Sequence, residues 1–217
     1  MKKIVLAFAL VFIGTMALRA QVQDRDQTRL MLVDGDMLQI RDQDQMRLQE
    51  SITLNDGTVL NPDGLYVTRN QERLRLKEGE CLDMDGIKYR NEYQYRYKVK
   101  QENKGLAEAR KQERNQNRVH FMFINGEVLQ IKNQSQNRLQ RQLSLANGVT
   151  VNPDGSYQDR DRKQLRLQDG ECLNMEGNKI QNMQQHRKML LKNQTMMKKG
   201  GKKPTVSKKK GKKGLFK

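Results

Sequence analysis

Histidine and cysteine are nearly missing from this chain, two of each in 217 residues, and prolines number only three. The shortage of histidine removes most routes to nucleophilic catalysis: an activated thiol or hydroxyl needs a partner base, and neither His120 nor His186 sits at a position that recurs in the chain. Motifs are lacking as well. There is no glycine-rich phosphate loop, no Ser-His-Asp order and no His-Glu-x-x-His helix. The aspartates at 34, 36, 42, 44, 63, 83 and 85 lack the spacing of a calcium loop, and turn chemistry accounts for Asp and Asn in such places. No catalytic residue and no cofactor is assigned. Beyond residue 20 no apolar run approaches the roughly twenty residues of a spanning helix. Acidic residues are absent from 183–217 altogether.

That last absence reinterprets the formal net charge of +17. The final 35 residues hold twelve lysines and Arg187, whereas Gln21 to Asn182 holds 26 basic against 25 acidic residues. The basicity belongs to a tail, and the balanced body gives no case for sequence-specific nucleic-acid binding.

What is present is a duplication. Leu30–Lys88 and Phe121–Lys179 align without a gap at an offset of 91, with 28 of 59 positions identical. Within each copy, runs of four to six residues alternate apolar and polar between glycine turns, the period of half-buried strands. Asn61-Pro62-Asp63-Gly64 and Asn152-Pro153-Asp154-Gly155 predict type I hairpin turns, and Asp34-Gly35 and Asn125-Gly126 predict primed two-residue turns. The fold class expected is mainly β: two homologous antiparallel meanders or small barrels, a helical linker and a disordered basic C-terminal tail. A sixty-residue copy is marginal alone, so the copies are expected to pack about a pseudo-twofold axis, with separate domains as the alternative.

The organisation reads as a leader over 1–20, a first β repeat over 21–88, a charged helical linker over 89–118, and a second repeat over 119–179. A basic amphipathic helix is expected over 180–199 and a disordered lysine-rich tail over 200–217. Met1-Lys2-Lys3, the apolar Ile4 to Leu18, and Arg19-Ala20 have the order of a secretory signal peptide, cleaved after Ala20 or else Ala17. Export to the periplasm or the cell exterior follows, without a membrane anchor.

Leu54-x-x-Gly57, Asp63-Gly64-x-Tyr66 and Leu74-x-Leu76-x-x-Gly79-Glu80-Cys81-Leu82-x-Met84-x-Gly86, with their second copies, resemble a family of bacterial exported proteins built from a domain of unknown function. The resemblance implies an address and an architecture, and it carries over no catalytic residues.

Two function classes remain. The first is an exported, non-enzymatic structural or binding module. Its polycationic tail (Lys198, Lys199, Lys202, Lys203, Lys208, Lys209, Lys210, Lys212 and Lys213) contacts anionic lipid or polysaccharide of the envelope. The second is a periplasmic protein handling a soft metal such as copper, with Met189, Met196 and His186 as weak candidate ligands. Cys81 and Cys172 occupy equivalent positions. Strand alternation puts them opposite the Leu82 and Leu173 face, and a disulfide between them, reduced thiols and an intermolecular bond all stay open.

Overall fold

A computed structural model describes residues 28–200 apart from 117 and 182, with the side chains of 44 and 192–200 also outside the description. The leader expected over 1–20 and the tail from 201 onward lie outside the described residues. Among the described residues sixteen strands and three α-helices follow one another: β1 (Thr28–Val33), β2 (Asp36–Arg47), β3 (Ile52–Thr53), β4 (Val59–Leu60), β5 (Leu65–Val67), β6 (Arg73–Arg75), β7 (Cys81–Asp83) and β8 (Lys88–Tyr89) make the first copy. Helices α1 (Glu92–Glu102) and α2 (Glu108–Gln116) come next. The second copy is β9 (Val119–Ile124), β10 (Glu127–Arg138), β11 (Leu143–Ser144), β12 (Thr150–Val151), β13 (Ser156–Gln158), β14 (Gln164–Arg166), β15 (Cys172–Asn174) and β16 (Lys179–Ile180), then α3 (Met183–Gly200).

Each copy contributes one small meander, β3-β4-β5-β6 or β11-β12-β13-β14, and everything else joins one eight-stranded antiparallel sheet ordered β16-β15-β1-β2-β10-β9-β7-β8. Exchanging every strand for its counterpart reverses that order onto itself, so the expected pseudo-twofold axis runs between β2 and β10. The copies are interlaced. β7 of the first copy pairs with β9 of the second, Cys81 opposite Met122, and β15 pairs with β1, Cys172 opposite Met31. The central β2–β10 ladder slips register around Asn133, the irregularity of a bulge.

Turn chemistry follows the sequence. Asp34 and Gly35 both take positive φ, as do Asn125 and Gly126, which suits a primed turn. Gly64 (φ 83°) closes the Asn-Pro-Asp-Gly turn through its N–H to Asn61 O at 3.0 Å. Its open side lies against the Phe123 ring of the other copy, only 2.6 Å from where a Cβ would stand. Gly155 meets Leu32 in the same way.

Both faces of the large sheet are covered, which is why β1 is buried at all six positions. On one face the small sheet of the first copy (Leu54, Leu60, Tyr66, Leu76) packs on Phe121 and Val128 of the second. Tyr157, Val151 and Leu145 of the second pack on Leu30, Leu32 and Met37 of the first. Helices cover the other face: Tyr95 and Val99 of α1 rest on Met122, Ile124 and Ile131, and Met183 of α3 rests near Met31 and Ile40. The half-buried strands expected from alternation therefore need correction. Cys81 and Leu82 are both wholly buried, each in a different core.

The stretch between the copies is helical as expected, in two pieces, α1 and α2. Helix begins at Glu92, capped by Asn91 Oδ1 accepting from Gln94 N, so the tyrosines at 93, 95 and 97 lie within α1. At the 91-residue offset α1 corresponds to α3, and each duplicated unit includes its helix.

Candidate functional site

The centre of the molecule is ionic. Arg96 on α1 and Arg187 on α3 are counterparts, both with side chains at most 1% exposed, and they meet over the β2–β10 ladder beside Arg29, Asp42 and Glu92. Glu92 Oε1 accepts from Arg29 (2.6 Å), Arg96 (2.9 Å) and Arg187 (2.8 Å), and its Oε2 accepts from Arg187 Nε at 2.8 Å. Asp42 accepts from Arg29 (2.7 Å), Arg96 (3.0 Å) and Arg187 (3.0 Å). Amides complete the lattice: Arg96 donates to Asn133 Oδ1 at 3.0 Å and Arg187 to Gln45 Oε1 at 2.7 Å.

Burial alone would raise both carboxyl groups, but the guanidinium groups outweigh it and hold Asp42 and Glu92 well below the usual carboxylate range. A carboxylate so saturated is a poor proton acceptor. The two histidines are neutral neighbours: burial, then Arg96, pushes His120 well below its ordinary value, and burial, then Arg29, brings His186 down to about 4. Neither ring nitrogen of either histidine has a hydrogen-bond partner. His120 stacks on Tyr95 at 4.2 Å, and its Nε2 stands 3.8 Å from Glu92. The arrangement clamps five elements together, β1, β2, β10, α1 and α3, and offers no poised acid or base.

Two concavities adjoin it. A polar groove of about 530 Å³ beside the α1–α2 turn is lined by Asp34, Asp36, Lys104, Glu108, Arg138 and Gln140 among others. A second, of about 310 Å³, straddles the pseudo-dyad: Met31 and Met122, Glu78 and Asp169, Gly79 and Gly170, and Glu92 and Met183 line it as counterpart pairs.

The sequence-predicted residues are scattered relative to these features. Cys81 and Cys172 are free and buried, with β1, β2, β10 and β9 between their strands, whereas a disulfide needs Cα atoms within about 7 Å. The intramolecular bridge is thus not formed, and burial raises both thiols, Cys172 to about 12. His186 is buried while Met189 on the same helix is half-exposed, and the Met196 side chain lies outside the described residues. The side chains of Lys198 and Lys199, and the tail lysines from Lys202 to Lys213, lie there too. Among the described residues no three His, Cys, Asp or Glu are grouped to hold a metal, and no helix is long and apolar enough to cross a membrane. Sequence reading missed the ionic centre. Its available signal was the 91-residue offset continued past Lys179, which pairs Arg96 with Arg187.

A family model for a domain of unknown function, DUF6799, matches residues 27–87 and again 118–180. No curated protein and no solved structure matches the chain.

Proposed function

The chain belongs to the DUF6799 family, a domain of unknown function, and we propose that it is an exported, non-enzymatic module whose basic tail contacts anionic components of the envelope. The observation that carries this reading is the partition of charge: 26 basic against 25 acidic residues between 21 and 182, then thirteen basic and none acidic from 183 onward. A flexible polycation condenses on polyanions with salt-dependent affinity and little sequence preference. The fold supplies a mount for it. α3 is pinned at its start by Arg187 in the ionic centre and by Met183 and Leu191 in the two helix-side cores, and the same helix continues to Gly200 at the root of the tail. A body filled on both faces of its main sheet, with an ionic centre saturated by its own partners, suits a carrier more than a reaction vessel.

The test is binding of the mature protein, with and without 200–217, to anionic and neutral vesicles over a salt series. Binding that requires both anionic lipid and the tail, and weakens as salt rises, is expected. Equal, negligible binding by both forms would sink the proposal.

A further inference from the structure

The filling of the helix-covered face is split, and the dyad cavity lies between its halves. Sulfur lines both walls, Met31 and Met183 on one side and Met122 on the other. Behind the first wall stands Cys172, the cross-strand partner of Met31, and its thiol approaches Met183 Sδ to 3.5 Å. That separation is near the edge of a metal–sulfur polyhedron, since tetrahedral ligation at about 2.3 Å places neighbouring sulfurs about 3.8 Å apart. The first copy has no equivalent cluster. Cys81 faces Met122 across the ladder, but residue 92, the counterpart of Met183, is a glutamate held by three guanidinium groups.

We propose that Cys172, Met183 and Met31 form a site for one soft monovalent cation of the Cu(I) class, entered through the dyad cavity with Met122 on the facing wall. Thiolate and thioether donors select such ions over hard or borderline ones. The step is a proton-for-metal exchange: Cu(I) displaces the thiol proton of Cys172, which leaves to solvent, a sulfur–copper bond forms, and no electron is transferred. The metal–thiolate unit is neutral, so it does not conflict with the guanidinium groups nearby. These ligands differ from Met189, Met196 and His186, and the proposal stands apart from the tail's function.

Full-length protein titrated anaerobically with Cu(I) against a chromophoric Cu(I) chelator is expected to take up one ion and release one proton. X-ray absorption of the loaded wild-type chain should show a sulfur-only shell. Cys172→Ser is expected to weaken binding at least about a hundredfold and Met183→Leu about tenfold, with Cys81→Ser unchanged. Met183→Leu conserves volume, so the fold survives that comparison. A nitrogen ligand in the shell, undiminished affinity in Cys172→Ser, or an equal loss in Cys81→Ser would overturn the site, and the first of these would move it to His186.

Discussion

Laid over one another at an offset of 91, the two copies agree at part of the centre and disagree at the rest of it. Cys81 and Cys172, Gln45 and Gln136, Arg96 and Arg187 are retained, but Arg29 faces His120, Asp42 faces Asn133, Glu92 faces Met183 and Tyr95 faces His186. Two copies like the second would leave Arg96 and Arg187 buried without any of these carboxylates, and two like the first would crowd eight charges around the axis. The existing hybrid shares one pair of carboxylates among three guanidinium groups. Near-symmetric folding thus coexists with a division of labour, in which one copy supplies the anions and the other is free to place a methionine beside its cysteine.

Making the first copy resemble the second should do the most damage. Glu92→Met leaves three buried guanidinium groups to share the single carboxylate of Asp42 and is expected to cost about 3–5 kcal/mol, read by denaturant unfolding. A loss under about 1 kcal/mol would show that the lattice adds little. Acid comes next, through residues found only in the second copy. The folded pKa of His186, about 4, lies below its ordinary 6.5, so the unfolded chain takes up the proton first and stability present above pH 6.5 is lost as pH falls toward 4. That contribution is on the order of 3 kcal/mol, and His120 acts in the same direction. His186→Tyr, which installs the residue found at Tyr95, should flatten the decline above pH 4.5; an unchanged slope would refute the assignment.

Smaller effects test the contacts that cross between copies. Gly64→Ala and Gly155→Ala should each cost about 1–3 kcal/mol through positive φ and overpacking. Gly64 should suffer more, because the Phe123 ring yields less than the Leu32 methyls; equal small losses would argue against close interlacing. Least of all, Leu74→Thr and Leu165→Thr, at equivalent edge positions 43% and 42% exposed, should change stability by no more than about 0.5 kcal/mol.

The sequence made the repeat, its hairpin turns and the small meanders legible because those are set within a few residues. It concealed the exchange of β7 and β15 for a symmetric reason: both copies carry the same strand pattern, so pairing within a copy and between copies satisfies the alternation equally well. It also concealed the ionic centre. Arg29, Asp42 and Arg96 read as surface residues when only local periodicity is considered, and only a helix lying across the sheet makes them interior. For the same reason alternation places Cys81 opposite Leu82, as found, but does not reveal that this second face is interior too. The tail, the candidate that composition singled out, owes nothing to pattern and is visible from charge alone.

The exchanged strands also set a timetable for synthesis. β1, among the first described residues, finds its outer neighbour only when Cys172–Asn174 has been made, and Asp42 and Glu92 gain their third guanidinium only with Arg187. A half-made chain holds one small meander and an unclosed sheet, with no native state of its own to reach. Contacts of such long sequence separation slow folding, so the fold should arrive late and in one piece, after the last hairpin rather than copy by copy.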